Sequence, residues 1–507
     1  SLQKLNSKSK GLSHQGKRGK EVYFKNRIMR TFNKSILTLG VITLATLVAC
    51  GSVEKASTPS EVEGSGESED VLKHGVWSKN ATIYEVNLRQ HTAEGTLEAF
   101  AEDLPRLKDL GVDILWLMPV HPVGEVNRKG GENADNFIAE LGSSSLGSPY
   151  SVRDYTAVNP DYGTLEEFKS LVAMAHELGM RVILDWVANH SAFDCDWTQN
   201  HRGYYLLDSS GNLQPPTGTD WWDVTQFDWE NGVENGLYER MASAMEFWIV
   251  ECDVDGFRCD VAEKVPVEFW DMARRRLEIL KPDVFMLAEA DQPIHHNRAF
   301  DMSYAWHYHH LTNEIAQGRE NASILRDYLA EEAKKFPTDA YRMGFATNHD
   351  ENSWNGTISE RYGDAGDAMV ILSATLFDMP LIYSGQESGL SKRLRFFEKD
   401  TVEWGAYSKT EFYKSINTLH HEEQALWNGD FGGAPVLLEC KSPEQFFAFT
   451  KSKAESQIVV LLNLSSEPTY LSVNMPEGKF EPALSKGIGE DGVVAPWGYI
   501  VLRKVNG

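Results

Sequence analysis

Arg258 and Asp260 stand two positions apart in the run Asp255-Gly256-Phe257-Arg258-Cys259-Asp260. The run reads as a short buried strand, and side chains at i and i+2 of a strand point to the same side. Both should therefore project from the strand's C-terminal end. A cation beside a carboxylate lowers its pKa and keeps it ionised. An ionised, positioned carboxylate is what nucleophilic catalysis at carbon requires. A structural Arg–Asp pair would look the same over this stretch alone. The rest of the chain has to decide.

The surrounding pattern alternates strand with helix. Strands are predicted at 81–87, 113–120, 181–189, 256–260, 284–290, near 300–304, at 341–347 and at 380–385. Helices at 97–110, 164–179, 232–251, 266–280, 322–335 and 365–378 fall between them. Residues 113–120 are almost continuously apolar, as a parallel strand covered on both faces must be. Thr164, with Glu167 three residues on, predicts a capping box at a helix start. About eight β/α units over roughly 340 residues predict a (β/α)8 TIM barrel at 75–428. A short insertion, rich in Trp, Asp and Gly, follows the third strand at 191–231. From about residue 429 short apolar runs separated by Gly, Pro and Ser turns predict a C-terminal antiparallel β domain, expected to be a sandwich over 429–507.

Active sites of such barrels lie at the C-terminal ends of the strands. Polar residues recur there: Asp185 and Asn189-His190 at the third strand, Arg258 and Asp260 at the fourth, Glu289 at the fifth, and Asn348-His349-Asp350 after the seventh. Asp260, Glu289 and Asp350 should converge on one mouth. Any one of them alone would pass as a cap or an ion pair. Three carboxylates delivered by separate strands to one place predict chemistry.

Composition sets the outer limits. A chain of 507 residues, 42% hydrophobic and 24% charged, fits a globular enzyme with an appended module. Ten Lys/Arg and one Glu fall in residues 1–49, which leaves 39 basic and 73 acidic residues of the chain's 49 and 74, a balance of −34. So acidic a body repels phosphate backbones, which argues against a nucleic-acid partner. Residues 36–48 form an apolar run behind Arg30 and Lys34, too short to span a bilayer and shaped like a secretory signal. The ending Leu47-Val48-Ala49-Cys50 resembles a bacterial lipobox, with Cys50 the lipidated residue. Residues 1–49 are then an upstream extension plus signal peptide, and 50–74 a Ser/Glu/Gly/Pro-rich tether. The protein is expected outside the cytoplasm, held by its lipid anchor, at the outer membrane. Cys195, Cys252, Cys259 and Cys440 are expected as free thiols.

The motifs Asp185-Trp-Val-Ala-Asn-His190, Gly256-Phe-Arg-Cys-Asp260, Glu289-Ala290 and Asn348-His-Asp350, supported by Gly147-Ser-Pro-Tyr150, Gln226-Phe-Asp228 and Tyr383-Ser-Gly-Gln-Glu387, resemble the α-amylase superfamily (glycoside hydrolase family 13) over roughly residues 75–505. The resemblance implies Asp260 as the nucleophile of a covalent glycosyl–enzyme intermediate. Glu289 would be the acid/base, with a pKa raised by Asp260 and partial burial, and Asp350 would stabilise the transition state. It implies that His190 and His349 hydrogen-bond the sugar, that Tyr150 stacks on it, and that Arg258 keeps Asp260 oriented and ionised.

The pattern also departs from the family. Where many starch-acting members carry Lys-His after the nucleophile, Glu263-Lys264 stand here, which leaves the acceptor side open. At the family's calcium site Asn189 is matched, but Gln226 replaces an acidic ligand, so no metal and no cofactor are expected. Trp221, Trp222 and Trp354 lie in loops near the mouth, where packing and sugar stacking both fit them. The expected function is retaining hydrolysis of α-1,4 bonds in starch-like α-glucans or maltooligosaccharides. An α-glucan transglycosylase and a non-catalytic glycan-capture lipoprotein are the alternatives. Protein partners are not indicated.

Overall fold

The computed structural model describes residues 72–130 and 145–505. The signal peptide, Cys50 and almost all of the tether expected from the sequence lie outside the described residues. Eight parallel strands form the central sheet: β1 (Ile83–Val86), β2 (Ile114–Leu117), β3 (Arg181–Val187), β4 (Gly256–Asp260), β5 (Phe285–Ala288), β6 (Met302–Tyr304), β7 (Tyr341–Met343) and β8 (Leu381–Tyr383). β1 to β7 pair in chain order and β8 pairs with β1, with no pairing between β7 and β8 among the described residues, so the sheet is a nearly closed barrel. The helices between strands pack outside it.

Side-chain alternation builds two cores from the same strands. Ile83, Ile114, Trp116, Ile183, Phe285, Leu287 and Tyr304 fill the barrel interior. Tyr84, Leu115, Val182, Leu184, Phe257, Cys259 and Met286 face outward into the helix layer. On β4 this places Phe257 and Cys259 against helices and Arg258 and Asp260 inside, as the two-residue spacing predicts. Cys195, Cys252, Cys259 and Cys440 are all free thiols.

Strand β4 is pinned at its lower end by Asp255. The Asp255 carboxylate accepts from the Val182 amide at 2.8 Å, from Arg181 at 2.9 Å and from Lys281 at 3.0 Å, and lies 2.7 Å from His176 Nε2. At Gly256 the strand passes so close to β5 that a Cβ would sit 1.8 Å from the Phe285 carbonyl oxygen. Only glycine fits there.

Several predicted elements change at their ends. The helix expected at 97–110 breaks into Leu97–Ala101 and Leu104–Asp109, because Pro105 has no N–H to continue the ladder and begins a new first turn instead. Thr164 forms the expected capping box with Glu167 on the helix Leu165–Glu177. Strands expected at 300–304 and 341–347 pair only over three residues each, and the chain beyond Met343 leaves the sheet to carry site residues. After β3, His190–Ala192 pairs antiparallel with Val224–Gln226, and the Phe227 amide bonds the Asn189 carbonyl, which ties the insertion to the barrel.

The C-terminal strands β9 (Val436–Leu437), β10 (Phe446–Lys453), β11 (Ser456–Asn463), β12 (Thr469–Tyr470), β13 (Phe480–Ile488) and β14 (Val493–Lys504) all join one antiparallel sheet. Hydrogen bonding thus links all six described strands of the domain expected as a sandwich. The physical reason is β14, whose twelve residues pair with β11 and β12 on one side and β13 on the other. Phe447, Phe449, Val460 and Val501 on one face join the barrel core, while Phe446, Ala448, Val459 and Leu461 on the other close a small core of their own.

Because the atom opposing Gly256 is backbone, Gly256→Ala should destabilise the protein by about 3 kcal/mol or more, at the upper end of overpacking costs. Urea unfolding monitored by tryptophan fluorescence checks this; an unchanged midpoint would mean that β4 and β5 separate easily.

Candidate active site

The barrel mouth opens into a cavity of about 520 Å³. Asp260, Glu289, Asp350, Tyr150, His190 and His349 all line it. The sequence-predicted set is therefore brought together, with Arg258 buried directly beneath the carboxylates. Asp260 closes β4, and Glu289 follows the last paired residue of β5. Register explains the proximity: Asp185 on β3 lies level with Arg258, and Val187 with Asp260.

Arg258 is fully buried and serves three carboxylates. Its Nη1 donates to Asp185 at 2.8 Å and to Asp260 at 3.1 Å, and its Nη2 is ion-paired to Glu289 at 2.9 Å. Its Nε donates to the Tyr304 hydroxyl at 3.2 Å, and Trp116 and Tyr304 place ring faces within 6 Å of the guanidinium. One cation divided among three acids cannot neutralise all of them.

Arg258 pairs with Asp260 as the sequence predicts, but its pull on that carboxyl is opposed. Burial first, and then the charge of Glu289, push the Asp260 carboxyl well above its ordinary value against the pull of Arg258. Burial also raises Glu289, opposed by Arg258 and reinforced by Asp350. Two neighbouring carboxyls driven upward together titrate as a unit. Glu289 is further fixed by the Val261 amide, which donates to Oε2 at 2.7 Å. To aim that amide Val261 adopts φ +37°, a left-handed conformation that costs a side-chain-bearing residue roughly 1–2 kcal/mol.

The two histidines differ in charge. Burial pulls His190 down to about 4, so it is neutral, and the Asn189 amide bonds its Nδ1 at 3.2 Å. Burial acts the same way on His349, but Asp350 and Glu85 outweigh it and push its pKa up to about 9. Glu85, buried on β1, bonds His349 Nδ1. The other ring nitrogen lies 2.8 Å from the Tyr150 hydroxyl, which donates onward to Asp185 at 2.9 Å. Tyr150 stacks on the His349 ring at 5.2 Å between centroids, with Phe396 parallel at 6.1 Å.

Four contributors were not found from the sequence. Glu85 reads as one acid in an apolar strand, and nothing local marks Val261 as left-handed. Lys129 lines the cavity with its Nζ 2.8 Å from the Asp220 carbonyl and 3.4 Å from the Asp223 carboxylate. Phe396 completes the stack over His349. Of the loop tryptophans, Trp221 and Trp354 line the cavity, while Trp222 lies under Lys129. Glu263 and Lys264 occupy a short exposed 3₁₀ turn and are not among the cavity-lining residues. Asn189 holds the insertion through its carbonyl, and Asp228 bonds the Asn231 side chain at 2.8 Å.

Comparison with known proteins gives a consistent result. Residues 60–430 match the family model described as alpha amylase, catalytic domain. The chain is 26% identical to alpha-amylase MalA of Haloarcula japonica over 79% of its own length, and 30% identical to the alpha-1,4-glucan:maltose-1-phosphate maltosyltransferase of Rhodospirillum rubrum over 68%. It spans 58% and 52% of those proteins' lengths. Among solved structures it resembles an alpha-amylase from Lactobacillus plantarum with a TM-score of 0.72 at 27% identity, over 85% of this chain and all of that one. A maltogenic alpha-amylase from Thermotoga neapolitana gives 0.70 at 27%, with the same coverage.

The His349 charge makes a pH prediction. A histidine whose folded pKa is raised from 6.5 to about 9 contributes stability fully present below pH 6.5 and lost as pH rises through 9. Glu85→Gln should lower the His349 pKa and move that loss to lower pH. Histidine NMR titration of both proteins reads it directly; an unshifted His349 resonance would remove Glu85 from the account.

Proposed function

This chain belongs to the alpha-amylase catalytic-domain family, and from that premise we propose that it is a retaining glycoside hydrolase acting on α-1,4 bonds of starch-like glucans or maltooligosaccharides. The observation that carries the reading is the meeting of Asp260, Glu289 and Asp350 in one cavity above a buried arginine paired to the first two. Maintaining two coupled carboxyls out of water is costly, and a site that only captured glycans would have no use for them.

Glu289 carries the pair's proton and gives it to the glycosidic oxygen as the bond to the anomeric carbon breaks. The Asp260 carboxylate forms a bond to that carbon, which makes the covalent intermediate. Arg258 stabilises the carboxylate that remains. Water then enters; Glu289, now ionised, takes its proton, the water oxygen bonds the anomeric carbon, and Asp260 is released. Asp350, on the cavity wall and 37% exposed in its side chain, is placed to bond sugar hydroxyls and to stabilise positive charge developing on the ring. Neutral His190 bonds the same sugar, while His349, with both N–H groups committed to Glu85 and Tyr150, contributes its charge to the cavity wall. In keeping with the lipobox-like segment, the enzyme is exported and tethered through Cys50, at the outer membrane.

A second reading, transfer to a sugar hydroxyl in place of water, is favoured by the aromatic rim. Trp354, 43% exposed, packs on Phe396 and Phe397 beside the cavity, a surface on which an acceptor ring can stack. The Rhodospirillum relative is itself named a transferase.

Products from soluble starch, pullulan and maltotriose separate these readings. Release of maltooligosaccharides from starch, reduced at least about 10³-fold by Asp260→Asn on the scale of losing an essential nucleophile, is the expected result. Products longer than maltotriose from maltotriose alone would establish transfer instead. Absence of turnover on all three would overturn the enzyme reading.

A further inference from the structure

Behind the segment that carries Asp350 lies a second cavity, of about 690 Å³, larger than the catalytic one and bounded by both the barrel and the C-terminal sheet. Its most unusual wall is made by β14. The pairs Lys486–Tyr499 and Ile488–Val494 are in register, so residues 495–498 of β14 stand opposite Gly487 alone on β13. Bulges of this kind re-aim side chains. Here the bulge puts Pro496 and Trp497 on the cavity wall, with Trp497 at φ +56°, a conformation that a side-chain-bearing residue rarely adopts.

The bulge is secured rather than loose. Asn463 Nδ2 donates to the Val494 and Ala495 carbonyls at 3.2 and 2.9 Å, and the Trp497 amide donates to the Ser465 carbonyl at 3.2 Å. The Trp497 indole N–H, by contrast, has no acceptor among the described residues. Strained backbone held in place by its surroundings, with an aromatic ring and an unused donor, is the form of a ligand clamp.

The remaining lining indicates what would bind. Asp367 accepts from Lys409 at 2.7 Å and from Lys486 at 2.9 Å, so the lysines are already committed and two acids, Asp364 and Asp367, balance them. A cavity without net charge selects neither an anion nor a cation. The amides of Gln386 and Asn352 are spent on protein partners, but the Tyr413 hydroxyl, which accepts from Gln386 at 2.9 Å, and the Ser391 and Ser466 hydroxyls, which have no partner among the described residues, add neutral hydrogen-bonding groups. An aromatic face combined with neutral hydrogen-bonding groups suits a sugar ring, with its apolar face and equatorial hydroxyls.

We propose that this cavity is a second, non-catalytic binding site for a maltooligosaccharide segment, in which a glucose ring stacks on Trp497. The choice of α-glucan rests on the function proposed above; the existence of a neutral glycan site rests on the cavity alone. Asn352 also connects the two cavities. It lies two residues past Asp350, and it grips the Leu394 amide at 2.8 Å and the Lys392 carbonyl at 3.2 Å just before Phe396 and Phe397. A glycan held here would keep a polymer beside the catalytic mouth.

Titration calorimetry of the full chain carrying Asp260→Asn with maltoheptaose tests this. Two binding sites are expected, falling to one when Trp497→Ala is added. Ser391→Trp, on the exposed rim of the cavity, should also abolish the second site without disturbing the bulge. With Asp260 intact, Trp497→Ala should leave maltotriose turnover unchanged and weaken adsorption to granular starch at least tenfold. A single-site isotherm for Asp260→Asn, or two sites surviving both substitutions, would overturn the proposal. Failure of the hydrolase reading looks different: wild-type maltotriose turnover would be absent while two-site binding persisted.

Discussion

The buried guanidinium of Arg258 is the charge around which the floor of the barrel mouth is organised. It is wholly buried, touches Asp185, Asp260 and Glu289, and is bounded by Trp116 and Tyr304. Buried ion pairs recover their desolvation cost only when geometry is good and the remaining lone pairs are filled. Asp185 meets that condition, accepting from Arg258, from the Trp116 indole and from Tyr150. Asp260 and Glu289 do not, because each shares the cation and faces the other. The strain of that arrangement falls on the two groups that are proposed to react.

From this follows a division of protons across the cavity floor. Burial drives both carboxyls of the Asp260–Glu289 pair upward, and the charge of Glu289 adds to it at Asp260. His190, with no carboxylate against it, is neutral, whereas His349, between Glu85 and Asp350, is charged. Glu85 thus acts through His349 rather than on a ligand. The same histidine orders Tyr150, whose hydroxyl completes the shell of Asp185. Disturbing any member changes the charge available to the others, which makes the mouth one electrostatic unit fed by β1, β3, β4, β5 and the chain after β7.

The parts of this unit that could be read from the sequence are those governed by local periodicity. Two-residue spacing on a strand put Arg258 and Asp260 inside and Cys259 outside, and the rule that barrel chemistry sits at strand ends found Glu289, His349 and Asp350. What could not be read depends on distance or on backbone geometry. Glu85 lies 264 positions from the histidine it charges, and Lys129 lies 91 from the carbonyl it bonds. The left-handed turn at Val261 contradicts its residue type and is imposed by the packing around Glu289. Burial, and then the charge of Glu289, drive the Asp260 carboxyl upward against the pull of Arg258, which a reading of the Arg258–Asp260 pair alone omits. In the C-terminal sheet, the strands were visible as apolar runs, but the pairing that one long strand makes across the domain was not.

The direct test is chemical trapping of the intermediate on which the mechanism turns. A slowly turned-over fluorinated maltosyl fluoride, incubated with the enzyme and followed by peptide mass spectrometry, should leave one maltosyl adduct on the peptide bearing Asp260. Asp260→Asn should carry none. An adduct on Glu289 or Asp350, or steady turnover of the probe with inverted anomeric configuration and no adduct, would contradict the assignment of Asp260 and the role given to Arg258 beneath it.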